Sequence, residues 1–147
     1  MKRNAKRNGA EDGWTFIETI IVIAIIMVLT SSVGIIAIQY VDKARVATAK
    51  AQIDTFGVAL ETYYMDCGRY PDADEGLESL WKRSDSASRA AGWKGPYLYR
   101  SVPADPWGNP YAYSVPGANG LPYRIVSFGS DGKEGGDGYA ADIDSNE

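Results

Sequence analysis

From Thr19 to Ile38 the chain carries no charged side chain, and its only polar ones are Thr19, Thr30, Ser31 and Ser32. A predominantly apolar run of about 20 residues is the length that spans a bilayer as a helix. Helical pairing satisfies every backbone N–H and C=O inside the segment, which lipid cannot do. At the head of this run stands Glu18, set among Phe16, Ile17 and Ile20 with no basic residue beside it. An ionisable group in an apolar span costs on the order of a few kcal/mol unless it is paired, so it marks a functional position by default. The plain alternative is a hydrated acid at the headgroup boundary, favoured by the positive end of the helix dipole.

The small residue that could serve as a processing site, Gly13, lies before the apolar run. A secretory signal has the reverse order, with an apolar core of about 7 to 15 residues followed by the cleavage site. Cutting after Gly13 would leave the apolar segment on the mature chain, beginning at Trp14. Lys2, Arg3, Lys6 and Arg7 precede the span, against Lys43, Arg45 and Lys50 just beyond it. The count of basic residues favours the head inside and the body outside.

Beyond the span the helical spacing persists. Ala49, Ile53, Phe56, Leu60 and Tyr63 recur at steps of three and four, while Asp42, Lys43, Arg45, Lys50 and Asp54 fall on other faces. No proline occurs between residues 14 and 70, so the sequence predicts one helix from about Trp14 to about Met65. Its first half suits lipid and its second half a soluble core. From Gly68 onward turn residues dominate, in GRYPDADEG, DPWGNPYAY, VPGANGLP and SDGKEGGDG. Strands are expected at Tyr111 to Val115 and at Tyr123 to Phe128, joined by PGANGLP as a hairpin-like connection. A short helix is expected at Glu75 to Trp81. The fold class is α+β: a long N-terminal helix packed on a small antiparallel sheet with long loops.

Composition narrows the chemistry. With 45% apolar and 23% charged residues the chain is not of a disordered type. It contains no histidine and one cysteine, Cys67. That removes histidine acid–base chemistry and any disulfide within the chain, and there is no G-x-S-x-G element for a hydrolase. Cys67 reads as a small, partly buried residue. The formal charge of -4 is polarised, with a basic head and an acidic tail. Lys and Arg elsewhere are scattered, so no nucleic-acid footprint is expected.

Gly13 followed by Trp-Thr-Phe-Ile-Glu18 and a long apolar helix resembles the leader and N-terminus of type IV pilins and pseudopilins. RYPDADEGLESL, GPYL, PADPWGNPYAY and SFGSDGKEGGDGYAADI resemble, in order and across nearly the whole chain, the major pseudopilins of the type II secretion system. The chain departs from that family's usual pattern in having Trp14 where Phe or Met is usual, and Glu11 and Asp12 beside Gly13. It also has Ser31, Ser32 and Gly34 in place of a mid-span proline.

The resemblance implies a leader, residues 1–13, removed by a prepilin peptidase between Gly13 and Trp14, with N-methylation of Trp14. It implies a transmembrane and polymerisation helix over 14–40 and a periplasmic domain over 41–147. Glu18 would act in assembly by neutralising the N-terminal amine of a neighbouring subunit. The implied function is structural, not enzymatic: self-association into an inner-membrane-rooted periplasmic pseudopilus that moves folded exoproteins through the outer membrane, with minor pseudopilins and the inner-membrane secretion platform as partners. A type IV pilin for adhesion, motility or DNA uptake is the alternative; those pilins often close a C-terminal loop with a disulfide, which a single cysteine cannot form. An anchored monomeric metal-binding domain is a third class.

The tail FGSDGKEGGDGYAADID, residues 128–144, offers carboxylates and glycine-rich backbone, the oxygen donors that calcium takes six to eight at a time. It is neither an EF-hand nor a GGxGxD repeat, and by composition a solvated acidic tail is at least as good a description. The resemblance implies a calcium ion held by the Phe128 carbonyl and the Asp131 and Asp142 carboxylates, with the Lys133 carbonyl and Asp137 as weaker candidates and Glu134 solvated.

Overall fold

A computed structural model describes residues 15–85 and 91–146, and the side chains of these except 32–37. Gly13 and Trp14 lie outside the described residues. Helix α1 runs Phe16–Cys67, within two residues at each end of the expected span from about Trp14 to about Met65. Its C-terminus is set by Gly68, whose φ of 70° is a left-handed conformation open to glycine, and whose N–H closes the last turn on the Tyr64 carbonyl at 2.8 Å. The chain divides into two compact units, Met1–Gln39 and Tyr40–Glu147.

In the second unit, α1 buries Ala49, Ile53, Phe56, Leu60 and Tyr63, the stripe that the spacing predicts, with Ala59 added. These residues pack with Leu77, Leu80, Ile125 and Ile143 into one core. At about 25 cal/mol per Å2 of apolar surface removed from water, such a stripe is the main source of stability for a small sheet that could not stand alone. Aromatic rings close the margin. Phe56 meets Tyr111 edge-on at 5.2 Å, and Tyr63 meets Tyr97 at 5.6 Å. Cys67 is half-buried beside this core.

The sheet has three strands in the order β1–β2–β3: β1 Ala112–Ser114, β2 Arg124–Ser127 and β3 Ile143–Asp144. β1 and β2 form the expected antiparallel hairpin, with Tyr113 opposite Ile125. Both are shorter than the sequence predicts by one residue at each end, because Tyr111, Val115, Tyr123 and Phe128 lie outside the paired register. In the connection, Ala118–Gly120 forms a 3-10 turn with Asn119 at φ 56°. The third strand lies in the segment 128–144, for which the sequence predicts a calcium loop or a solvated acidic tail and no strand. It pairs antiparallel with β2, Ser127 opposite Ile143, and is tied by the Arg124 Nε to Asp144 Oδ2 contact at 2.6 Å. The expected helix at Glu75 to Trp81 is a 3-10 helix, Leu77–Leu80.

Candidate functional site

Two regions hold the candidate residues, one in each unit. In the first, Thr15 precedes the helix and its Oγ1 accepts the Glu18 N–H at 3.3 Å. Thr15-Phe-Ile-Glu18 is therefore an N-cap with the acid three positions in, the S/T-x-x-E pattern of a capping box. The pattern was visible in the sequence and supplies Glu18 with a local role beside any intermolecular one: a negative charge in the first turn favours the helix dipole. Around it Phe16, Ile17, Ile20, Ile26 and Met27 are exposed on several faces of the helix. A helix apolar all round requires lipid or neighbouring helices to cover it. Among the described residues no helix is long and apolar enough to cross a membrane. The span read from the sequence includes Ser32 to Ala37, whose side chains lie outside the description.

The second region is the connection from β2 to β3. Its ends are fixed in the sheet: Ser145 N–H donates to the Ile125 carbonyl at 2.9 Å, and Ile125 N–H donates to Ser145 Oγ. Inside it, Ser130 N–H donates to the Tyr139 carbonyl at 3.0 Å. Phe128 is half-buried at the end of β2, and Asp131, Lys133, Glu134 and Asp137 are exposed. The Asp131 Oδ1 accepts the Lys133 N–H at 3.1 Å, and the half-buried Asp142 reaches across so that its Oδ2 accepts the Gly135 N–H at 3.0 Å. The two carboxylates thus cradle the same Lys133–Gly135 turn.

Asp142 Oδ1 is buried without a hydrogen-bond partner. An unpaired buried acceptor costs about 1–3 kcal/mol, more where it is charged, so this oxygen fits a cation ligand. Asp137 is not gathered in: among the described residues no three of His, Cys, Asp and Glu converge as a metal cluster. A cation here would need backbone carbonyls to complete its shell, which is within the habit of calcium and outside that of zinc.

Sequence reasoning missed the residues that carry this loop. Asp105, in PADPWGNPYAY, is buried. Its Oδ1 accepts the Trp107 and Asn109 N–H groups at 3.0 and 2.8 Å, and its Oδ2 accepts the Ser127 hydroxyl of β2 at 2.6 Å. Asn109 Nδ2 in turn donates to the Gly129 carbonyl at 3.1 Å. An Asp-Pro pair signals a turn, and only the long-range bonds show that the turn is a bracket between two loops.

With this geometry in view, the relatives are informative. Residues 37–146 match the family model described as Type II secretion system (T2SS), protein G. The chain is 38% identical over 133 residues to the type II secretion system core protein G of Pseudomonas aeruginosa, covering 90% of this chain and 93% of the relative. It is 35% identical to that of Vibrio cholerae, covering 94% and 93%. The crystal structure of the major pseudopilin from the type 2 secretion system of enterohaemorrhagic Escherichia coli superposes with a TM-score of 0.60 at 28% identity, over 71% of this chain and 88% of the other. The chain belongs to the type II secretion system protein G family, the major pseudopilins.

Proposed function

We propose that the chain is matured by cleavage after Gly13, anchored in the inner membrane by its apolar helix, and polymerised into a periplasmic pseudopilus that helps folded exoproteins across the outer membrane. The observation that carries this reading is the family match over residues 37–146, joined to an N-terminal helix whose exposed apolar surface needs a cover. In the polymer, Glu18 faces the amine that cleavage creates on Trp14 of a neighbouring subunit. Minor pseudopilins and the inner-membrane platform are the partners that the family membership implies.

The calcium reading belongs to the same proposal. Asp142 and Asp131, with the Phe128 carbonyl and secondarily Lys133 and Asp137, are the residues that would hold the ion, and the unpartnered Asp142 Oδ1 supports the fit. When bound, the ion supplies positive charge to a loop whose acids otherwise repel one another. The residues themselves do the rest: Asp142 closes the loop onto Gly135, and Arg124 pins β3 to β2.

Deleting the gene in its own host and restoring it from a plasmid tests the reading. Exoproteins should accumulate in the periplasm of the deletion strain and reappear in the medium on restoration. Normal release accompanied by lost surface motility or adhesion would assign the chain to type IV pili instead.

A further inference from the structure

The bracket formed by Asp105 and Asn109 lies outside every residue considered as a metal ligand, yet it touches the loop at its first turn. Asp105 is only 5% exposed, and its carboxylate accepts three hydrogen bonds, two from backbone N–H groups of its own turn and one from Ser127. The backbone pairing of Asp105 N–H with the Asn109 carbonyl, at 2.8 Å, closes the same turn. The position of Asn109 is therefore fixed through its backbone from two sides, and its side chain is left to face the loop after β2.

There the side chain does two things. Its Nδ2 donates to the Gly129 carbonyl at 3.1 Å. Its amide also lies so near Gly132 that a Cβ at that position would come within 2.9 Å of Asn109 Oδ1. Gly132 has φ of 66° and Gly129 has φ of 59°, both left-handed conformations that suit glycine. A Cβ on Gly129 would meet the Ala141 carbonyl at 2.8 Å, so this turn is pressed between Asn109 on one side and the chain leading to Asp142 on the other. Phe128 and Asp131, on either flank of that turn, are ligand candidates.

We propose that Asn109, held by Asp105, is the positioning residue of the calcium loop: it sets where the turn from Phe128 to Gly132 lies against Asp142. This inference rests on the calcium reading above. Outer-shell partners of metal ligands typically change affinity by about 10- to 100-fold when removed, because the ion gains nothing from ligands that must first be brought together.

The test uses the full chain in detergent micelles, with calcium affinity read by calorimetry and terbium luminescence lifetime reporting the number of waters on the bound ion. Asn109→Ala should weaken calcium binding by roughly tenfold or more and shorten the terbium lifetime as water replaces a displaced protein oxygen. Asn109→Asp, which keeps the shape but replaces the Nδ2 donor by an acceptor facing the Gly129 carbonyl, should do the same and serves if the alanine variant does not fold. Tyr113→Phe, which removes a remote hydrogen bond to the Pro71 carbonyl, should leave affinity and lifetime unchanged. A loss of stability alone would lower the folded fraction without changing hydration of the bound ion. Wild-type affinity and lifetime in both Asn109 variants would overturn the positioning role and leave the calcium reading standing. A wild-type chain that binds neither ion would overturn both.

Discussion

Asp142 presents two oxygens in unlike surroundings. One accepts the Gly135 N–H and the other is buried without a hydrogen-bond partner. Calcium binding confined to the folded chain should stabilise it by about 2.7 kcal/mol at a hundredfold excess over Kd, a rise in melting temperature on the order of 10 °C for a domain of this size. Asp142→Ala should abolish that rise while leaving the melt in chelator little changed. Thermal denaturation followed by circular dichroism decides it, and a calcium-dependent rise that persists in the variant would remove Asp142 from the ligand set. Glu18 likewise has two roles in view. Its backbone N–H donates to the Thr15 hydroxyl, a cap bond that Glu18→Ala keeps, so that substitution should cost the first turn only the favourable charge–dipole interaction, about 0.3–1 kcal/mol, whereas loss of an intermolecular charge pair would repeat at every subunit.

Of the elements, α1 was the most legible in the sequence, since five apolar residues at helical spacing have one way to share a face and all five are buried. The β1–β2 hairpin was legible through its alternation and its turn. β3 was not, because two residues inside an acidic, glycine-rich tail carry no periodicity, and only pairing with β2 makes them a strand. The Asp105 bracket was hidden for a related reason: the two bonds that tie it to β2 and the loop beyond join residues 22 and 20 apart in sequence.

The aromatic margin between α1 and the loops gives a pH prediction. Burial pushes the Tyr63, Tyr70 and Tyr97 phenols up to about 12 and raises those of Tyr111 and Tyr113 as well. The unfolded chain ionises its phenols near 10, so between these values it binds fewer protons than the folded one. Stability is then complete below about pH 10 and is lost as the pH rises through about 12. Tyrosinate absorbance should appear together with unfolding over that window. Full ionisation of all phenols near pH 10 with the circular dichroism intact would contradict the packing. At the acid end, the Lys94 hydrogen bond holds the Asp66 carboxyl below its usual value. That contribution is present above the ordinary aspartate range and is lost as the pH falls through the lowered value.

For the molecule as a whole, the unit Tyr40–Glu147 was readable from its sequence, while the proposed leader, residues 1–13, lies outside the described residues. Intact-mass measurement of membrane-extracted protein should find a chain that starts at Trp14 and carries one methyl group; a mature species retaining Lys2 to Gly13 would contradict the proposed processing. Both the charge created by that cut and the apolar helix behind it serve the central claim, that this chain functions as a polymer. The direct measurement is filament yield, by sedimentation and electron microscopy, from cells producing the full chain with its peptidase and assembly platform. Wild-type protein should form filaments, and Glu18→Ala should be inserted and folded but yield few, because each contact would leave a neighbouring amine unpaired in a low-dielectric layer at a cost of about 3–5 kcal/mol. Equal filament yields from the two proteins, or no filaments from wild type under any condition, would contradict the account.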